Sequence, residues 1–219
     1  MPDPGAVVAS LLFLLLVGVM LAFAFGTQRN VRIGNAHLAW LQPALPALGP
    51  RTTLRWLGSS AVQLDLVEPA EPFREVTILV VMEPRDVPIM WLLSRQSGRR
   101  DTLILRTSLR RAPRFDLEAT TPAAWIPAPD SGEASSWAAL PFAGGVRATA
   151  PEGTRPDEVA VAERAWRELE AASGGATRLS IRRTVPHLEV HLRPAPPGVV
   201  PSERMIRALR ELALGLTKA

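Results

Sequence analysis

The 219-residue chain has no cysteine and no tyrosine, three histidines, and a single lysine, Lys218, among 25 basic residues. Without cysteine there is no disulfide, no thiolate metal ligand and no cysteine nucleophile, but a cysteine-free chain fits either side of a membrane. Few histidines leave few bases for a serine or threonine nucleophile, and no G-x-S-x-G, Walker A or G-x-G-x-x-G pattern occurs. The excess of arginine over lysine follows base composition more simply than it follows function.

Charge is absent from one long run, AVVASLLFLLLVGVMLAFAF at residues 6–25, where Ser10 is the one polar side chain. Twenty residues rising about 1.5 Å each span roughly 30 Å, the thickness of a bilayer's hydrocarbon core. A cleaved signal peptide is the rival reading, with Ala22-Phe23-Ala24 as its cleavage site. Against it, the run exceeds the usual signal core, and MPDPG before it holds no lysine or arginine. A retained single-pass anchor, residues 1–26, is therefore expected. Arg29 and Arg32 follow at once, which places the carboxyl-terminal domain in the cytoplasm and the amino terminus outside.

Residues 27–50 read as a juxtamembrane connector. Pro43, Pro46 and Pro50 suggest an interfacial segment around Trp40 followed by an extended linker, with a strap packed on the domain as the alternative. His37 has no carboxylate or second histidine nearby in sequence and is not taken as a ligand.

From residue 51 the pattern is that of an α+β domain with a mixed sheet. Residues 51–120 give a hairpin around Gly58-Ser59-Ser60, a β-branched strand in FREVTILVVME, a short helix opened by Asp86 and Pro88 and closed by Gly98, and two strands joined at Ala112-Pro113. Residues 121–141, with Pro122, Pro127, Pro129 and Pro141, read as a linker. Residues 142–219 repeat the order β-α-β-β. Their helix has an apolar stripe of Val159, Ala162, Trp166 and Leu169, with Thr154 and Asp157 at capping-box spacing. A closing helix, SERMIRALRELALGL, lines up Met205, Ile206, Leu209, Leu212, Ala213 and Leu216 to pack on the sheet. Arg110-Arg111 and Arg182-Arg183 then fall at equivalent turns, where a cation is solvated and a proline opens the next strand.

Three constellations bear on chemistry. HLEVH at 187–191 resembles a zinc-binding string only on a helix; on a strand His187 and His191 stand about 13 Å apart, so a polar sheet face is expected and no metal site. Asp65, Glu68, Asp116 and Glu118 are carboxylates on strands, where alternating charge normally marks a solvated face. Between residues 85 and 114 eight arginines face two aspartates, a local balance of +6 around the all-apolar PIMWLL. That short helix is either a core element with arginines at its margins, the plainer reading, or is inserted in another apolar medium, with Trp91 and Leu92 at the membrane boundary.

The function expected is that of a non-catalytic accessory or scaffold protein that binds the bilayer through residues 6–25 and a protein partner through its cytoplasmic domain. The contact would be made through sheet edges, the helix near Trp91, or the last helix. The alternative is a tethered domain binding anionic lipid or a small anionic ligand through Arg99, Arg100, Arg110, Arg111, Arg182 and Arg183. An enzyme of unknown class is third. No catalytic residue, cofactor or metal is assigned, and a nucleic-acid partner is disfavoured for want of a recognition motif or aromatics among the arginines.

Overall fold

The computed structural model describes residues 3–122, 124, 136–196 and 198–217. Its first element, α1 (Pro4–Leu41), is one unbroken helix of 38 residues, about 57 Å long at 1.5 Å per residue. Asp3 caps it, accepting the Gly5 N–H at 3.1 Å. Residues 7–21 are exposed, whereas Gly26, Asn30, Gly34 and Leu41 are buried on one face. The helix is therefore two in one: an apolar half long enough to cross a membrane, and a half seated on the domain.

The expected extended connector is thus helical as far as Leu41, with a 3-10 helix Gln42–Ala47 beyond it. Proline acts on the residues before and at its own position, and the first proline after the span is Pro43. Nothing earlier interrupts the backbone ladder. The seated half fits because its contacts are small. A Cβ on Gly26 would collide with the Arg85 carbonyl, and one on Gly34 would lie 2.5 Å from the Trp56 ring. Trp40 donates from Nε1 to the Val200 carbonyl at 2.8 Å, and Ser202 Oγ donates to the Trp40 carbonyl at 2.6 Å.

Among the described residues nine strands form one antiparallel sheet: β1 (Arg51–Trp56), β2 (Ala61–Val67), β3 (Phe73–Val81), β4 (Thr102–Leu109), β5 (Leu117–Thr120), β6 (Ala138–Leu140), β7 (Arg147–Ala150), β8 (Ala176–Ile181) and β9 (Leu188–Leu192). Three further α-helices among the same residues are α2 (Pro88–Gln96), α3 (Pro156–Ala171) and α4 (Ser202–Thr217). The architecture is α+β, and the elements follow the order expected from periodicity except for β6, which lies in the 121–141 segment expected as a linker. The sheet is antiparallel rather than mixed, and residues 123 and 125–135 of that segment, Pro127 and Pro129 among them, lie outside the described residues.

The pairing is less local than the element order suggests. The sheet runs β1-β2-β3-β4-β9-β8-β5-β7-β6, so β4 and β5, expected as a hairpin at Ala112-Pro113, are separated by β9 and β8. The two segments interleave in a single sheet. Crossing three strand spacings takes about 14 Å, and the seven residues 110–116 reach about 23 Å when extended. The connection is long enough. It leaves the β8–β9 hairpin at the centre, where Leu179, Ile181, Leu188, Val190 and Leu192 are fully buried. Both β7 and β8 pair antiparallel to β5, so β7 and β8 are parallel, and α3 crosses between them over β5.

Register builds the core. Leu54, Leu64, Ile78, Leu105, Val190, Leu179, Ala119, Ala148 and Leu140 face one another in sequence across all nine strands, on one face of the sheet. The stripes of α3 (Ala162, Trp166, Leu169) and α4 join this core, together with Leu41 and Leu48. Each large side chain so buried contributes about 1.5–3 kcal/mol. Helix α3 starts one residue later than its expected cap: Glu158 accepts the Arg155 N–H at 3.0 Å, while Thr154 Oγ1 donates to the Pro151 carbonyl.

Helix α2 departs from the plainer expectation of a core element. Its one buried side chain is Ser94, while Ile89 is 74 % exposed and Met90, Leu92 and Leu93 are all more than half exposed. The helix lies beside α1 and beyond the ends of β3 and β4, off the apolar face of the sheet. Asp86 does not cap it. Its carboxylate instead accepts from Ser59 Oγ in the β1–β2 turn at 2.5 Å.

Candidate functional site

Strands β3 and β4 pair up to Val81 and Thr102, which brings the residues just beyond them, Glu83 and Asp101, side by side against α1. Asp101 Oδ1 accepts the Glu83 N–H at 2.8 Å, and the Arg85 guanidinium grips both Asp101 oxygens at 2.9 and 3.1 Å. From the same guanidinium Nη1 reaches Asn30 Oδ1 on α1 at 3.3 Å. Burial pushes the Asp101 carboxyl up, but the nearby His37 ring, the hydrogen bonds and charge of Arg85 and the Glu83 N–H outweigh it and hold the group at about 2. His37 Nε2 stands 4.0 Å from Asp101, beyond hydrogen-bond reach.

Glu83 is almost fully buried and accepts the Trp91 Nε1–H at 2.5 Å, with Arg85 at 3.5 Å and Arg95 at 3.7 Å. Arg95 also lies over the Trp91 ring, 5.6 Å from its centroid. Burial pulls the Arg99 guanidinium below the usual arginine value, against the opposing pull of Glu83. The result is a buried, charge-compensated joint that fastens α2 and its flanking loops to α1. An Asp101 carboxyl ionised this firmly is no general acid near neutral pH.

A second network occupies the polar face of the sheet. Arg178, 3 % exposed, donates from Nε to Glu118 at 2.6 Å and from Nη1 to Glu189 at 2.7 Å. Arg182 joins Glu118 at 2.8 Å and stacks 4.3 Å from the centroid of the Trp137 ring. Glu189 is met by His191 at 2.8 Å and by Arg106 at 2.7 Å. Burial raises the Glu189 carboxyl, and these partners with the Arg178 charge more than reverse it, to about 2. His187 Nδ1 accepts the Leu109 N–H at 2.8 Å, and its pKa is lowered chiefly by burial, with Arg74 adding to the fall.

HLEVH runs into β9, His187 standing just before the strand, with Leu188, Val190 and Leu192 on the apolar face and Glu189 and His191 on the polar one. Among the described residues no group of three or more histidines and carboxylates is placed to hold a metal. Of the strand carboxylates, Glu118 is held by arginines, Asp65 by Gln63 and Thr77, Asp116 by Arg183, and Glu68 by Arg51 at the surface.

The six arginines fall into two groups. Arg99 and Arg100 precede β4 at the end near α1 and α2, while Arg110 and Arg111 follow β4, eight residues or about 26 Å away. Arg182 and Arg183 lie at that far end, because β8 runs parallel to β4 with β9 between them. Trp91 lies in the joint, and Leu92 projects from α2.

Sequence reasoning missed Asn30, Glu83, Arg85 and Asp101. A signal for the α1 half of this joint was present: Gly26, Asn30 and Gly34 recur every four residues, the spacing of a close-packed helix face. The other half depends on strand ends that become neighbours only through β3–β4 pairing. Compared with known proteins, the chain matches no family model and no curated protein sequence.

Proposed function

We propose that the protein is a single-pass membrane-anchored, non-catalytic accessory subunit whose α+β domain faces the cytoplasm and holds a protein partner close to the bilayer. The observation that carries this reading is the unbroken α1, whose exposed apolar half runs directly into a half locked on the domain by Gly26, Asn30 and Gly34. A helix of this kind fixes the distance and orientation of the domain relative to the membrane, as a flexible tether does not. Retention of the anchor is supported by the position of Ala22-Phe23-Ala24 in the middle of α1 rather than in an extended segment. Orientation is supported by Arg29 and Arg32 just past the apolar run, with Asp3 alone before it.

The partner surface best supported is the β1 edge. Among the described residues strand β1 pairs with β2 alone, and it is mostly exposed and borders a groove that includes Leu38 and Leu45 with Leu54 and Leu64. An extended segment of a partner adds to such an edge by backbone hydrogen bonds, with alternate side chains entering the groove. The closing helix is a poorer candidate, since its apolar stripe is consumed by the core.

Extraction of the tagged full-length chain in mild detergent, followed by native mass determination, tests this reading. A stoichiometric protein partner is expected, and Leu54→Arg should release it. Recovery of the chain alone, or a partner indifferent to Leu54→Arg and to other changes along β1, overturns the accessory role or the edge respectively. A carboxyl-terminal green fluorescent protein fusion, bright only in the cytoplasm, checks the orientation.

A further inference from the structure

We infer that α2 is a membrane-inserted wedge: Ile89, Met90, Leu92 and Leu93 enter the leaflet that residues 6–25 leave on their way to the domain. The inference rests on the reading of residues 6–25 as a membrane span. Helix α2 is inverted relative to a soluble helix, with a serine inside and four large apolar side chains outside. Its position says what covers them. Pro88 and Trp91 share a groove of about 230 Å³ with Ala22, Phe25, Gly26 and Arg29, so α2 lies alongside the last turn of the apolar run, at the depth where that run ends. The apolar surface of α2 is therefore continuous with a surface that lipid already covers.

The polar features around α2 agree with an interfacial position. Trp91 keeps its indole N–H on Glu83 while its ring borders the groove, the amphipathic placement typical of the headgroup level. Arg29 and Arg95 are exposed beside it, and Arg100 donates to the Arg95 carbonyl at 3.1 Å, which sets cations around the apolar tip where lipid phosphates lie. Depth is fixed rather than sampled. Gly26 lets α1 touch the backbone at Arg85 and Asp86, and the Arg85–Asp101 pair braces the loops on either side of α2. A wedge so braced gives the domain a second, off-axis contact with the bilayer, which prevents it from rotating about α1.

The cysteine-free chain allows a direct test with the full-length protein in vesicles of phosphatidylcholine and phosphatidylglycerol. Single variants Ile89→Cys, Leu92→Cys, Leu14→Cys and Val185→Cys, all at exposed positions, carry an environment-sensitive fluorophore. Its quenching by nitroxide lipids is compared with quenching by a water-soluble agent. Labels at 89 and 92 are expected to shift to the blue and lose emission to a nitroxide near the headgroup, the label at 14 to a deeper nitroxide, and the label at 185 to the aqueous quencher alone. Aqueous behaviour at 89 and 92 with a lipid-quenched label at 14 overturns the wedge and leaves the span intact. An aqueous label at 14 overturns the span and the wedge with it. Labels at 89 and 92 shielded from both quenchers mean that protein, a second copy or a partner, covers α2, and that also overturns the wedge.

Discussion

Helices α2 and α4 are both rich in large apolar residues, yet the fold treats them in opposite ways. In α4 Met205, Ile206, Leu209, Leu212, Ala213 and Leu216 are at most 3 % exposed, while in α2 four large apolar side chains are more than half exposed and a serine is buried. The cause is location rather than composition. The sheet offers one apolar face, built from side chains in register across nine strands, and α4 with α3 covers it. Helix α2 connects adjacent strands β3 and β4 at their ends, so it has no sheet face to rest on and meets α1 instead. An apolar helix is buried by protein only where the topology supplies a partner. Where it does not, the apolar surface points to a different medium.

The largest effect expected from this contrast is on the α4 side. Leu209→Asp places a charge at a site with no exposure, costing more than about 5 kcal/mol, and should abolish cooperative thermal unfolding of the purified chain in detergent. Next in size is the joint that holds α2. Asp101→Asn leaves Arg85 without its bidentate partner, a loss of about 3 kcal/mol, and hydrogen exchange should quicken across residues 83–101 while α4 keeps its protection. Equal quickening in both regions would mean that α2 and α4 are one cooperative unit and would break the comparison.

Acid separates the two regions less sharply. The Asp101 and Glu189 carboxyls lie at about 2 in the folded chain against ordinary values of 3.8 and 4.5. Between these limits the unfolded chain binds more protons, so their stabilisation is full above about pH 5 and disappears as pH falls toward 2. Asp101 contributes on the order of 2 kcal/mol, and Glu189 about the same once its larger shift is discounted for solvent screening of its ion pairs. Denaturant midpoints should fall across that window, and Asp101→Asn should remove its own share of the fall while leaving that of Glu189. A midpoint independent of pH down to about 2.5 would contradict the paired state of both groups.

Elements with a regular period were legible in the sequence, and contacts between distant segments were not. The stripes of α3 and α4 and the alternation of β9 follow from the 3.6- and 2-residue repeats of their backbones, and each faces the core as read, except that Val159 at the start of the α3 stripe is not part of it and Val161 packs there instead. The pairing of β4 with β9 and β5 with β8 joins residues about 60 to 90 positions apart, which no local pattern encodes. The prolines at 43, 46 and 50 mark only where α1 ends, whereas the every-fourth-residue face of Gly26, Asn30 and Gly34 carries α1 onto the domain. For α2 the all-round apolar composition was plain, but its surroundings were not. Periodicity reports which side of a helix is greasy and is silent for a helix that is greasy on every side.

The smallest effect is the most discriminating for the comparison. Ile89 is 74 % exposed and Leu93 55 %, so Ile89→Ser and Leu93→Ser, made singly, delete little packed surface and should change the stability of the chain in detergent by no more than about 0.5–1 kcal/mol. Leu212→Ala in α4, 3 % exposed, should cost about 2–5 kcal/mol in the same assay, because it opens a cavity in a close-packed core. Detergent is the right medium for both measurements, since it surrounds the apolar run of α1 and the tip of α2 without engaging either specifically. A loss of about 2 kcal/mol or more from Ile89→Ser or Leu93→Ser would show that protein packs on α2, and the distinction between the two helices would fall.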